Sequence, residues 1–181
     1  WSGSAGIRGF SDERAIELSN ISKSGPFEIP FRHMVTAVQI ARGDEEQLFV
    51  ALKRSGYDVI SRREEILGRA RNVLVWLEKY APKYVKFQLQ ETLPAAVNNL
   101  SPAERQALGL LAGRIEDKSA AEIHDLVYVV AKEMDLDSKK FFQAIYLTFL
   151  GDRQGPKVGW FLASLDRDFV RSRLAAAASP A

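Results

Sequence analysis

Cysteine is absent from this chain. That excludes disulfide staples and thiol nucleophiles, and fits a reducing compartment. Histidine occurs only as His33 and His124, far apart in the sequence. Zinc sites of the usual Cys/His kind cannot be built from that inventory. Uninterrupted apolar runs stay at a few residues, so no segment reads as a bilayer span and no membrane partner is expected. Charge of one sign is not in excess: 25 Lys+Arg oppose 23 Asp+Glu, with a pI near 8.9. Residues 1–90 carry 14 basic and 11 acidic side chains, and residues 91–181 carry 11 and 12. A nucleic acid would therefore meet a local patch rather than a global field.

What is present is ordinary globular material. The 181 residues are 46% hydrophobic and 27% charged, enough for one domain or two small ones with a real core. The opening WSGSAGIRG is Gly/Ser-rich, carries no signal-peptide pattern and reads as a flexible lead or tag remnant of a fragment. The tail after Ala175, with its Ser-Pro break, is expected to fray.

The punctuation between these ends is helical. Ser61–Glu64, Ser101–Glu104 and Ser119–Glu122 each fit a capping box, and Asp44–Gln47 is a looser version. Pro102 falls at a first helical position, Ser138 and Asp166 are N-cap candidates, and Gly43, Gly56 and Gly151 read as stops. Apolar residues recur at helical spacing through Ile66, Val73, Leu74, Leu77 and Tyr80, then Leu108, Leu111 and Ile115. The pattern continues through Ile123, Leu126, Val127, Val130 and Met134, then Phe142, Ile145, Tyr146 and Phe149. These patterns predict an all-α bundle with helices near 11–20, 32–42, 44–55, 61–80, 102–117, 120–135, 138–150, 158–165 and 167–175. Tyr84–Gln90 alternates with period two but has no partner strand, so it reads as an extended crossover between helical groups. The expected division is a lead over 1–9, a first helical subdomain over 10–90, a second over 91–175 and a tail over 176–181.

Asn20–Gly25 resembles the Lys-x-Ser-Lys-Ser phosphate loop of class I aminoacyl-tRNA synthetases, but its leading Lys and any preceding Rossmann unit are missing, so it reads as a polar linker. His124–Asp125 are neighbours on a helix, pointing about 100° apart, and read as structural or surface residues. His33 reads as a helix-start residue, with an RNA contact as the alternative. Asp44, Glu45 and Glu46 read as charges complementing a helix dipole. Between 61 and 86 there are seven basic and three acidic residues, a solvated face or a phosphate-backbone contact. The most unusual stretch is Gly151–Phe161, with three glycines in a loop, Pro156, Arg153, Lys157 and the indole of Trp160. Cations and exposed backbone donors there suit a phosphate or a splayed base edge, and a structural turn is the other reading. Trp160 and Phe161 read as core anchors.

That stretch carries a resemblance. Ala144–Leu147, Leu150–Gly151 and Gly155–Asp166 resemble the C-terminal end of archaeal-type class I lysyl-tRNA synthetases. Trp76–Pro82, Val85–Phe87, Ile29–His33, Gly43–Glu46 and Glu122–Asp125 with Tyr128 are similar as well, so the likeness covers roughly residues 10–174. The most specific runs are Trp-Leu-Glu-Lys-Tyr-Ala-Pro and Gly-Pro-x-x-Gly-Trp-Phe-Leu-Ala-Ser-Leu-Asp. The resemblance implies an all-helical anticodon-binding domain, an α-helix cage. It implies a parent enzyme that ligates lysine to its tRNA in the cytoplasm, using ATP and Mg²⁺ in a separate N-terminal catalytic domain. The fragment itself is expected to hold no cofactor and to catalyse nothing. Its implied partners are lysine tRNA at the anticodon and the catalytic domain. Related glutamyl-tRNA synthetases read the anticodon with a Thr-Pro-x-Leu turn, which Gly155–Val158 resembles with the threonine lost. Anticodon-contact candidates are thus Arg153, Gln154, Gly155, Pro156, Lys157 and Val158. RNA-backbone candidates are Arg62, Arg63, Arg69, Lys139 and Lys140. The alternatives are a glutamyl-type anticodon domain and a helical protein-interaction module. A self-contained enzyme lacks any assembled constellation.

Overall fold

The computed structural model describes residues 29–179, which form eight α-helices, two short 3-10 turns and no β-sheet. The flexible lead, the helix expected over 11–20 and the Asn20–Gly25 loop lie outside the described residues. Among the described residues no helix is long and apolar enough to cross a membrane.

Helices α1 (Phe31–Ala41), α2 (Glu45–Arg54) and α3 (Arg63–Lys79) make the first group. Pro30 opens α1, its carbonyl accepting from the N–H groups of His33 and Met34 at 2.9 and 3.1 Å. Arg42 then closes it in the left-handed region, followed by Gly43 at φ 90°. Asp44 accepts from Gln47 N at 3.0 Å to start α2, with Glu45 and Glu46 on the positive end of the dipole. Ser61 does not cap α3 as expected. Its hydroxyl donates to Asp58 Oδ2 at 2.6 Å, while Asp58 Oδ1 accepts from Ile60 N, so a turn consumes the group and the helix begins at Arg63. The buried stripe of α3 is Ile66, Ala70, Val73 and Leu77. Leu74 and Tyr80, expected on that face, are exposed: the 3.6-residue period carries Leu74 off the stripe, and the helix ends at Lys79, leaving Tyr80 as its non-helical C-cap.

Helices α4 (Pro102–Arg114), α5 (Ala120–Glu133), α6 (Ser138–Leu150), α7 (Val158–Ser164) and α8 (Arg167–Ala178) make the second group. Full capping boxes form at Ser101–Glu104 and Ser119–Glu122, and Asp166 caps α8. Asp137 caps α6 instead of Ser138, because its carboxylate reaches Lys140 N at 3.0 Å. Gly151 ends α6 at φ 69°. The tail does not fray at Ala175. Helix α8 runs to Ala178, Ala177 is buried, and Arg105 donates to the carbonyls of Ala177 and Ser179 at 3.0 and 2.8 Å.

Each group has its own hydrophobic cluster. Met34, Leu52, Ile66 and Val73 lie in the first, and Leu108, Ile123, Phe141, Phe149, Phe161 and Leu174 in the second. Ile40 packs against both. Across the junction Ser55 Oγ meets Ser164 Oγ at 2.7 Å and Arg54 pairs with Asp166 at 2.8 Å.

The crossover begins as a 3-10 turn over Lys83–Val85 and continues extended, with no strand partner. Side chains hold it in place of a sheet. Gln39 Oε1 accepts from Phe87 N at 2.9 Å and Gln39 Nε2 donates to Val85 O at 3.3 Å. Arg173, only 7% exposed, donates to the carbonyls of Gln90, Glu91 and Thr92 at 3.1, 2.7 and 2.9 Å. Burial lowers the Arg173 pKa, yet three carbonyl acceptors satisfy the guanidinium.

Candidate nucleic-acid interface

The turn after α6 is shaped by contacts that only glycine permits. A Cβ on Gly155 would lie 2.5 to 2.9 Å from Tyr146 and Leu150 side-chain atoms. The Tyr146 hydroxyl donates to Pro156 O at 2.6 Å, so ring and hydroxyl together fix the loop against α6. Burial pushes the Tyr146 pKa up to about 12, which keeps that donor protonated. Two residues beyond Lys157, Gly159 lets α7 rest on the start of α5: a Cβ there would overlap the Ala120 carbonyl and lie 2.9 Å from His124 Cβ.

This fixed turn forms one wall of a groove of about 560 Å³. The start of α1 and the crossover form the other sides. Phe31 and Trp76 meet edge to face at 5.0 Å, and Tyr84, Val85 and Phe87 continue the apolar lining. On the turn side, Lys157 Nζ sits 4.6 Å from the Trp160 ring centroid. The other aromatic neighbour of Trp160 is His33 of α1, stacked at 4.6 Å with the planes 26° apart. Arg32 is exposed on the same rim, and none of the described residues lining the groove is a carboxylate. Burial, then the charges of Arg32 and Lys157, hold the His33 pKa down to about 4. Its imidazole is therefore neutral at physiological pH. Burial and Lys157 also lower the His124 pKa, against a smaller opposing effect of Asp125. A second hollow of about 340 Å³ adjoins through Tyr84 and Phe87, and its polar lining includes Lys83, Lys86, Gln154 and the carboxylate of Asp152.

The structure separates the site candidates. Arg153 and Gln154 are exposed, with both backbone N–H groups turned to Asp152 Oδ1. Pro156 and Lys157 line the groove, and Gly155 lines it while its approach to Tyr146 fixes the turn. Val158 is 1% exposed and belongs to the second core, so its side chain cannot touch RNA. Arg62 pairs with Glu65 at 3.0 Å. Arg63 pairs with Glu46 at 2.9 Å and lies over Phe49, and Arg69 donates to Ile29 O at 2.6 Å. These three arginines are engaged in holding the first group together. Lys139 and Lys140 are exposed at the start of α6, roughly 10 Å along the axis from Tyr146.

The sequence did not assign Arg32, Trp76 and Trp160 to this surface, and it offered Lys83 and Lys86 only as part of the basic stretch between 61 and 86. The signal was partial: Trp76 lay in one of the two most specific runs, Trp160 in the other. Trp160 is half-buried and faces the groove, unlike Phe161, which is a core anchor. Among the described residues no group of three or more His, Asp or Glu side chains could hold a metal ion.

A helical fold whose cations and aromatic rings converge on a turn between helices defines a nucleic-acid-binding class, and comparison with known proteins agrees. Residues 65–178 match the Anticodon binding domain family, and the chain belongs to that family. It is similar to a lysine–tRNA ligase of Archaeoglobus fulgidus, 40% identical over 168 residues, covering 91% of this chain and 33% of that protein. Lysine–tRNA ligase 1 of Methanosarcina acetivorans is 38% identical over 181 residues, covering 90% of this chain and 34% of its own length. The lysine–tRNA ligase of Pyrococcus horikoshii is 32% identical over 186 residues, covering 95% and 35%. The chain spans about a third of the length of these curated relatives.

Proposed function

We propose that this chain recognises the anticodon of lysine tRNA as part of a cytoplasmic lysine–tRNA ligase. The observation that carries the reading is the groove between α1, the crossover and the Gly155–Trp160 turn, in a chain similar to lysine–tRNA ligases. Its rim carries Arg32 and Lys157, its walls carry aromatic rings, and none of its described lining residues is a carboxylate that would repel phosphate. A splayed base suits such walls, while the cations on the rim and in the adjoining hollow suit the sugar–phosphate backbone. Arg153, Gln154, Pro156 and Lys157 present the turn, and Lys139 and Lys140 extend the cationic surface along α6. Ligation itself, with ATP and Mg²⁺, belongs in this reading to a catalytic part that corresponds to the rest of those relatives.

The test is binding of the chain to lysine tRNA and to the same tRNA with a changed anticodon, at two salt concentrations. Salt-sensitive binding that weakens when the anticodon changes is expected. Equal and weak binding to both would overturn the reading and favour a protein-interaction role. Aminoacylation by the full-length ligase, compared with the same enzyme carrying Lys157→Ala, tests whether this surface serves lysine ligation.

A further inference from the structure

We propose that His33 is the specificity-determining contact of the groove, donating from Nε2 to a carbonyl oxygen of one splayed pyrimidine, so that uracil is accepted over cytosine. The proposal rests on the anticodon reading above and names what in the groove would tell one base from another.

The hydrogen bond behind His33 sets its proton. A phenolic O–H is a stronger donor than a neutral imidazole N–H, and an imidazole nitrogen is a stronger acceptor than a phenol oxygen. The Tyr57 hydroxyl therefore donates, and its partner is His33 Nδ1. An accepting Nδ1 on a neutral ring leaves the proton on Nε2. His33 is 7% exposed, lines the groove, and its Nε2 has no hydrogen-bond partner. A buried donor without an acceptor is a group that a ligand can satisfy.

The amide beside His33 is engaged and the rim cations are donors. Gln39, the amide in the groove, is engaged at both ends: Nε2 donates to Val35 O and Val85 O, and Oε1 accepts from Phe87 N. Thr36 donates its hydroxyl to Arg32 O at 3.0 Å. The charged groups on the rim, Arg32 and Lys157, are donors with no accepting capacity. The contact falls at position 4 of the base, where uracil carries a carbonyl oxygen and cytosine an amino group that would set donor against donor. The aromatic and aliphatic sides supplied by Phe31, Trp76, Val85 and Phe87 suit the base ring.

The experiment uses the whole chain and a short stem-loop RNA with three uridines in the anticodon positions, together with three versions carrying one cytidine each. Fluorescence anisotropy at fixed salt gives the ratio of affinities at each position. The wild type is expected to prefer uridine by about tenfold at one position. His33→Phe keeps a ring against Trp160 but removes the donor. It is expected to bring that ratio close to one while the salt dependence stays as it was, since phosphate contacts are untouched. Tyr57→Phe removes the hydroxyl that fixes the tautomer and is expected to lower the ratio partway. An unchanged ratio in folded His33→Phe overturns the proposal and leaves the anticodon reading standing. Should His33→Phe lose its melting transition, Tyr57→Phe decides: a lowered ratio supports the proposal and an unchanged one overturns it. Wild-type binding that is indifferent to every anticodon position overturns the proposal and the reading beneath it together.

Discussion

The imidazole of His33 and the indole of Trp160 stack with ring centroids 4.6 Å apart, one from the first helical group and the other from the second. His33 also reaches Tyr57, through Nδ1. The floor of the groove is therefore also the joint between the two groups, and what happens to His33 acts on stability and on the site together.

The joint should be sensitive to acid. The His33 pKa is depressed to about 4 in the folded chain, against an ordinary value of 6.5, by burial and by Arg32 and Lys157; the Tyr57 hydroxyl faces it from the other side. Between those pH values the unfolded chain binds a proton that the folded chain refuses. Stability is expected to be level above about pH 7, to fall as pH drops through 6.5, and to stop falling from this source below about 4. His124, also depressed, adds in the same direction. Urea titrations from pH 7.5 down should show the slope, and His33→Phe should flatten most of it.

The two glycines flanking Lys157 should separate stability from binding. Gly159→Ala places a methyl into the Ala120 carbonyl and beside His124, so α5 and α7 must move apart. A loss of about 2–3 kcal/mol is expected by urea denaturation, in the range of overpacked cores. Gly155→Ala meets the Tyr146 ring and the Leu150 side chain on an exposed loop, which can shift. A smaller stability loss is expected there, with weaker RNA binding because the turn is displaced.

Arg173 should prove essential to the crossover. Arg173→Ala leaves the carbonyls of Gln90, Glu91 and Thr92 without their donor. The expected cost is about 3 kcal/mol, accompanied by faster amide exchange over residues 87–92. Arg173→Lys should not restore it, since an ammonium cannot reproduce the guanidinium fork across three acceptors.

Cations on the two faces should respond differently. Lys157 is exposed and carries no ion pair in the described structure, so Lys157→Ala should weaken tRNA binding about tenfold. It should also reduce the slope of log affinity against log salt by roughly 0.7–0.9, with melting nearly unchanged. Arg63→Ala should leave that slope alone, because its guanidinium is already committed to Glu46 and Phe49. It should lower stability by about 0.5–1 kcal/mol.

Local chemistry along the chain determined the helices. Ser101–Glu104 and Ser119–Glu122 are complete signals within four residues, and Asp44, Asp166 and Gly151 mark ends by properties of their own side chains or backbone. The family was legible for a related reason: Trp76–Pro82 and Gly155–Asp166 are contiguous runs, and contiguous runs survive in a sequence as they are. Where a cap had a competitor, the sequence misled, as with Ser61 drawn to Asp58 and Ser138 displaced by Asp137. The site was legible at one wall, the Gly155–Lys157 turn, and hidden at the others. His33 and Trp160 are 127 residues apart, and no spacing rule connects them. Whether an arginine is free for phosphate or tied to Glu46 or Ile29 is decided by which helix packs beside it. The sequence by itself set the helices, their ends and the turn, because those depend on neighbours in the chain. Tertiary packing alone decided the groove, the neutral His33 and the commitment of the arginines, because burial and hydrogen-bond partners are properties of neighbours in space.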